Sequence, residues 1–254
     1  NGIDTLIKKG IIRFEYEDVY RYNTSISGRY KKVILNDEQL KVINNVKLSG
    51  HDTYLLYGVT GSGKTEVYME LIDNVLKVGK TAIMLVPEIS LTPQIVERFI
   101  SRFGDNVAIL HSGLSDGEKY DEYRKIMEGE VDIVVGARSA IFAPLNNLGV
   151  IIIDEEHSTT YKQDNHPRYH ARDVAILRAK YHKCPVLLGS ATPSMESMAR
   201  AGNKVYELLT LKKRAGKGTL PNVSVVDMKE EVKRGRFIFS KLLDDKIKEK
   251  LEKN

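Results

Sequence analysis

Gly58-Val59-Thr60-Gly61-Ser62-Gly63-Lys64-Thr65 follows the apolar run Tyr-Leu-Leu-Tyr at 54–57. It leads into a segment from about Lys64 to Val78. There Val67, Leu71, Ile72, Val75 and Leu76 recur at helical spacing before Gly79. The eight residues match G-x-x-x-x-G-K-[ST], a pattern that chance produces in a chain of this length on the order of once in a hundred. Glycines at 58, 61 and 63 let the backbone wrap an anion and turn its N–H groups inward. The start of the following helix adds positive potential. Lys64 suits charge on β and γ phosphates, and the Thr65 hydroxyl suits Mg²⁺. A glycine-rich turn capping a helix is the alternative reading of the same letters.

Outward from this cradle, short apolar runs alternate with helical patterns, which predicts a mostly parallel sheet covered on both faces. Strands are expected at 54–57, 82–86, 107–110, 131–135, 150–153, 186–188 and 223–226. Thr92-Pro93 predicts a capped helix ending near Gly104, and Ser115 with Glu118 a capping box for a helix that stops at Gly129. From Ser240, Leu243, Ile247 and Leu251 fall four apart in a charged helix. Residues 1–35 read as an appendage, with Tyr16, Tyr20, Tyr22 and Tyr30 amid charges and a polar turn at 25–28.

The run 150–153 ends in Asp154-Glu155-Glu156-His157. An acid at the end of a buried strand is costly unless solvated or paired. A phosphate-loop enzyme needs such an acid for Mg²⁺, the place Asp154 fits, and a second, Glu155, to polarise an attacking water. Three successive acids also make an ordinary polar turn. Composition narrows the rest. The 254 residues include one cysteine, Cys184, which excludes an internal disulfide framework and a thiolate zinc site. No apolar run approaches ~18 residues, so a soluble, cytoplasmic chain with no membrane partner is expected. Lys plus Arg number 39 against 34 Asp plus Glu, a formal +5 that suits an anionic partner without demanding one. Lys212, Lys213, Arg214 and Lys217 concentrate that charge in a glycine-containing loop. It suits a nucleic-acid backbone or plain solvation equally.

Several longer stretches carry a family resemblance: GVTGSGKTEVY at 58–68, LVPEISLTPQ at 85–94, HSGLSDGEKYDEYRKI at 111–126 and VGARSAIFAP at 135–144. DEEH at 154–157, YKQDNHPRYHARDVAILRA at 161–179 and LGSATPSMES at 188–197 complete the set. Together, over about residues 35–230, they resemble superfamily 2 helicases, and within these the replication-restart helicases. The resemblance implies a RecA-like P-loop α/β fold. It divides the chain into the tail of a DNA-binding region at 1–35, a first motor lobe at 36–230 and a linker helix at 231–254.

The resemblance also implies roles. Gln39 matches the glutamine that reads adenine, although Asn36 to Gln39 is equally a capping box. Catalysis falls to Lys64, Asp154, Glu155 and His157, the Mg²⁺ ligands are Thr65 and Asp154, and ATP is the nucleotide. Arg138 and Ser139 face the DNA strand. Ser190 and Thr192 relay the nucleotide state to DNA, unless Thr192-Pro193 simply opens a helix. The stretch after His157 matches an aromatic-rich loop, where Tyr161, Lys162, Gln163, His166, Arg168, Tyr169, His170 and Arg172 would grip single-stranded DNA by stacking and charge. Its alternative is a polar surface loop, with some tyrosines buried, before a helix near His170.

The implied parent is a DNA-dependent ATPase and 3′-to-5′ helicase at stalled forks. Its partners would be single-stranded or forked DNA, primosome proteins and single-strand-binding proteins. Zinc belongs only to parent regions outside this chain. The second lobe, with its arginine finger, is expected beyond residue 254, so the isolated chain is expected to hydrolyse ATP slowly or not at all. A non-hydrolysing, nucleotide-gated binding module is the alternative. A phosphate-loop kinase is another, but no clear arginine-bearing lid insert is present.

Overall fold

The computed structural model describes residues 2–13, 33–215, 223–235 and 237–252. The tyrosines at 16, 20, 22 and 30 and the turn at 25–28 lie outside them. The chain divides into two compact units, 1–216 and 217–254. This break falls earlier than the one expected after residue 230.

In the first unit, α1 (Gly2–Lys8) and α2 (Asp37–Asn45) precede β1 (Thr53–Gly58), α3 (Lys64–Leu76), β2 (Thr81–Leu85) and α4 (Pro93–Phe103). Then come β3 (Val107–Leu110), α5 (Asp116–Glu128), β4 (Ile133–Gly136) and β5 (Leu148–Ile153). A hairpin of β6 (Lys162–Gln163) and β7 (Tyr169–His170), α6 (Ala171–His182), β8 (Val186–Ser190), α7 (Met195–Gly202) and β9 (Glu207–Leu211) complete it. Among the described residues, seven strands form one sheet in the order β3-β4-β2-β5-β8-β1-β9. Every pairing in it is parallel. This is the expected α/β architecture. Strand β8 lies between β1 and β5, so the loops leaving all three open side by side at one edge of the sheet.

Strand alternation splits the core in two. Tyr54 and Leu56 join a cluster with Val67, Ile72 and Phe99 of α3 and α4. Leu55, one residue away, joins the opposite cluster with Ile126, Ala175 and Leu188. Both faces are therefore covered, which is why the strands read as unbroken apolar runs.

The local signals held where chemistry along the chain suffices. Ser115 and Glu118 form a reciprocal capping box, and α5 stops at Gly129 in the left-handed region. Asn36 and Gln39 form another on α2. Replacing Asn36 by Ala is expected to lower stability by about 1 kcal/mol, read as a lower urea midpoint with an unchanged slope; an unchanged midpoint would contradict the cap. Pro93 opens α4 as expected, but the Thr92 side chain makes no capping bond. Helix α7 starts at Met195 with Ser194 as its cap rather than at Thr192-Pro193. The expected strand at 223–226 is absent, and Val223 and Val225 are exposed. The seventh place in the sheet, beside β1, belongs to β9, whose edge position buries only alternate residues.

In the second unit, α8 (Met228–Lys233) and α9 (Lys241–Leu251) are tied by the amide of Lys241, which donates to Glu231 at 2.7 Å. Ser240 caps α9. Among the described residues, no helix is long and apolar enough to cross a membrane.

Candidate functional site

The β1–α3 turn is open at its tip, where Thr60 and Gly61 are exposed, while Lys64 and Thr65 are half-buried. Two of its glycines are required by conformation. Gly61 has φ +78° and Gly63 φ +80°, a region side-chain-bearing residues rarely adopt. Gly63 is also required by space, since a Cβ there would lie 2.3 Å from the Gln39 amide nitrogen. At Gly58 a Cβ would meet the Ser62 hydroxyl at 2.7 Å. The turn is internally braced: Ser62 N donates to Val59 O at 3.0 Å, and the Lys64 ammonium donates to Gly58 O at 3.0 Å. The Ser62 hydroxyl is buried with no hydrogen-bond partner. The first amides of α3 lack intrahelical acceptors and carry the positive end of its dipole.

Gln39 is 2% exposed and fully engaged. Its carbonyl oxygen accepts from Asn36 N at 2.9 Å, and its amide donates to Ser62 O and Gly63 O at 3.1 and 3.3 Å. The capping box and the link to the cradle thus coexist in one side chain, which braces the turn.

The segment after β9 reaches the same turn. Leu211 O accepts from Val59 N at 3.3 Å, and Ala215 N donates to Gly61 O at 2.9 Å. Between them, the Lys212 and Lys213 amides donate to one Glu38 carboxylate oxygen at 2.9 and 3.1 Å. The basic stretch at 212–214 is therefore strapped along the phosphate-type turn and the start of α2, and Arg214 Nε is buried without a partner. Lys217 lies outside the described residues.

Asp154, at the end of β5, enters the same cleft. Tyr68, one turn beyond Lys64 on α3, donates to its Oδ1 at 2.8 Å, and Tyr161 donates to its carbonyl oxygen at 2.6 Å. Burial pushes the Asp154 carboxyl above its ordinary range, and the Glu155 charge adds to this. The Tyr68 hydrogen bond and the nearby Lys64 ammonium pull the other way without cancelling it. The folded chain therefore holds this proton more tightly than the unfolded one, and stability falls as pH rises from the ordinary carboxylate value through the raised one. Asp154→Asn keeps an acceptor for Tyr68 and removes the charge. In Mg²⁺-free buffer it is expected to melt above the parent chain at neutral pH, with the gap closing as pH falls through the raised value and gone below 3.8. Equal melting at neutral pH would contradict this account.

The next three residues tie β5 to the segment after β8. Glu155 sits at φ +46°, and its carboxylate is 3.5 Å from His157 Nδ1. His157 Nδ1 lies 2.8 Å from the Ser190 hydroxyl, and its Nε2 lies 3.5 Å from that of Thr192. Glu156, unassigned by any motif role, is the most enclosed of the three. Its carboxylate accepts from Ser194 N at 2.7 Å, Ser194 Oγ at 3.1 Å and Ser197 Oγ at 2.8 Å. Arg172 approaches it at 3.5 Å.

The expected strand-gripping residues divide into two groups. Lys162, Gln163, Arg168, Tyr169 and His170 line a cleft of about 440 Å³ on the β6–β7 hairpin, and Arg168 and His166 are exposed. Burial, then the Arg172 charge, lowers the His170 pKa, which favours its neutral form; its Nδ1 caps α6 by accepting from Arg172 N. Ser139 and Arg138 border a neighbouring cleft of about 470 Å³ with His111, Lys119 and Thr160. Arg138 donates to Lys162 O at 2.5 Å and lies 5.8 Å from the Tyr169 ring centre, so it also holds the hairpin. Tyr161 and Arg172 face inward instead. Tyr161 is 1% exposed within the core cluster of α6, so it offers no stacking face, and Arg172 turns onto Glu156 and Ser197. A cleft of about 720 Å³ bordered by His51, Arg200 and Tyr206 adjoins the amino end of β1, away from these loops. Ligand sites of such sheets lie at the carboxyl ends.

Tyr68 and Glu156 escaped the sequence reading because nothing local marks them. A tyrosine in a helix reads as core, and the third acid of a run reads as solvated.

The donors present fit Mg²⁺ held mainly by phosphate and water. Thr65 and Asp154 are hard oxygen donors, and no group of three or more His, Cys, Asp or Glu suited to a metal ion occurs among the described residues.

Residues 36–201 match the DEAD/DEAH box helicase family. Over 99% of its length the chain is 55% identical to replication restart protein PriA of Bacillus subtilis (strain 168), of which it covers 32%. It is 44% identical over 97% of its length to the protein of that name in Synechocystis, covering 31% of it. The chain thus spans about a third of these relatives. Among solved structures, RecG bound to a three-way DNA junction aligns with a TM-score of 0.53 and 25% identity, over 74% of this chain and 25% of that one.

Proposed function

The chain belongs to the DEAD/DEAH box helicase family, and from that premise we propose that it is the ATP-binding motor lobe of a cytoplasmic, DNA-dependent ATPase and 3′-to-5′ helicase that restarts replication at stalled forks. Its similarity to replication restart protein PriA supports the biological setting. The observation that carries the chemistry is the meeting of α3, the helix that the glycine turn opens, with the acid that follows β5, through Tyr68 and Asp154 at 2.8 Å.

In this reading the amides of residues 61–65 cradle the phosphates, and Lys64 leaves Gly58 O to neutralise the β and γ oxygens. Thr65 and Asp154 hold Mg²⁺, which when bound screens the phosphate charge. Glu155 orients the attacking water and accepts its proton. His157, through Ser190 and Thr192, reports the state of the phosphates to the segment that opens α7. Gln39 keeps the turn in shape beside the base. The β6–β7 hairpin and the Ser139 cleft take the DNA strand, by Tyr169 stacking and by Lys162 and Arg168. Full turnover needs the arginine finger of a second lobe, so the isolated chain binds ATP but hydrolyses it slowly or not at all. Primosome and single-strand-binding proteins are partners of the whole protein in this reading.

The test is single-stranded DNA binding by fluorescence anisotropy across a salt series. If Lys162 and Arg168 each neutralise a phosphate, the logarithm of affinity falls with the logarithm of salt with a slope of about −1.4, and Arg168→Ala reduces that slope by about 0.7. A salt-independent affinity, or no change in Arg168→Ala, would remove the hairpin from the DNA path. Rapid DNA-stimulated hydrolysis by the isolated chain would overturn the need for a second lobe.

A further inference from the structure

Tyr68 is wholly buried, yet its one polar atom is spent on the acid assigned to the metal. Access for it is built into the sheet. Gly189, on the strand between β1 and β5, is the residue over which the phenol passes; a Cβ there would lie 1.7 Å from the Tyr68 hydroxyl and 2.8 Å from Cζ. A second phenol, from Tyr161, fixes the carbonyl oxygen of the same aspartate at 2.6 Å. Asp154 is thus held at its backbone and at one carboxylate oxygen by tyrosines from two different elements. The carboxylate also accepts from the Glu155 amide, and its remaining lone pairs are left for a cation. Burial and the Asp154 charge keep the Tyr68 phenol protonated, so it remains a donor.

We propose that Tyr68 is a positioning residue for the Mg²⁺–nucleotide site: its hydrogen bond to Oδ1, made possible by Gly189, fixes the Asp154 carboxylate in the orientation that receives the cation. This rests on the ATP-binding reading given above. Outer partners that orient a metal-binding carboxylate typically change metal affinity about 10- to 100-fold when removed. The effect belongs to the cation and not to the phosphates, because Lys64 and the turn amides make no use of the phenol.

The experiment uses the full 254-residue chain and a fluorescent N-methylanthraniloyl-ADP, helped by the absence of tryptophan. Affinity is measured in EDTA and across a Mg²⁺ titration for the parent chain, Tyr68→Phe and Lys64→Ala. Tyr68→Phe is expected to raise the Mg²⁺ concentration at half-effect by about tenfold or more, with its affinity in EDTA unchanged. An unchanged Mg²⁺ requirement overturns the proposal, and so does an equal loss with and without Mg²⁺, which marks general damage to the site. Should Tyr68→Phe not fold, Gly189→Ala, which keeps the phenol but displaces it, must show the same selective Mg²⁺ defect; a normal Mg²⁺ response in that variant overturns the proposal. Lys64→Ala separates the two levels. If it binds the nucleotide as well as the parent chain does, or if the parent chain binds none, the ATP site itself is misassigned.

Discussion

Lys64→Ala lowers affinity for ADP and ATP by roughly 10- to 100-fold while leaving the melting temperature close to that of the parent chain. Hydrogen bonds to charged groups contribute about 1.5–3 kcal/mol each, and roughly 1.4 kcal/mol is a factor of ten in binding. The side chain is half-buried and donates only to Gly58 O, a bond that water at the open turn can replace. Stability therefore changes little and binding changes greatly. Calorimetric titration with ADP and with ATP reads the first quantity and thermal melting the second. An unaltered ADP affinity would remove the turn from nucleotide binding and with it the motor reading. A large drop in melting temperature would show instead that Lys64 serves the fold.

Glu156→Ala has the opposite signature. Its carboxylate is enclosed, accepts three hydrogen bonds from Ser194 and Ser197, and faces Arg172, whose side chain is 11% exposed. Removing the acid strips the buried arginine of its nearer carboxylate and leaves it Asp173, 3.8 Å away and 59% exposed; breaking a buried pair costs about 3–5 kcal/mol in comparable sites. For a domain of this size that corresponds to a fall of roughly 6–20 °C in melting temperature. The same carboxylate joins the β5 end, the start of α7 and the helix that follows the hairpin. The loosening should therefore appear as faster amide exchange at 194–197 and 170–173 before it appears in the sheet. A loss below about 1 kcal/mol, or exchange that rises evenly everywhere, would show that the serines and Arg172 find water or other partners once the acid is gone. Glu156→Gln retains an acceptor but not the charge, and should fall between the parent chain and the alanine variant.

These variants probe contacts of different legibility. The places of Lys64 and Asp154 in the fold are readable because their signals are local: a lysine after glycines at fixed spacing that opens α3, and an acid where the apolar run of β5 stops. Tyr68 was read as one more residue of a helix, since the acid it touches is 86 positions away. Glu156 looked like a solvated charge because the serines that receive it come 38 and 41 positions later. The basic residues at 212–214 suit a nucleic-acid backbone or plain solvation equally by composition. What composition does not show is that the Lys212 and Lys213 amides meet Glu38, a partner 174 positions earlier in the case of Lys212. The resemblance puts Tyr161 and Arg172 on the DNA side; in the fold Tyr161 is buried and Arg172 turns onto Glu156 and Ser197.

What the linear order of residues determined was the set of local units: strand, glycine turn, helix, capped ends, and an acid closing an apolar run. Periodicity, backbone freedom and short-range hydrogen bonds act between neighbours, so they are written in neighbours. What only the tertiary structure decided was who meets whom at the carboxyl edge. Placing β8 between β1 and β5 brings Tyr68 to Asp154 and His157 to Ser190 at that edge. That strand order is settled by the burial of two faces of the sheet at once, a balance summed over the whole chain and carried by no single segment of it.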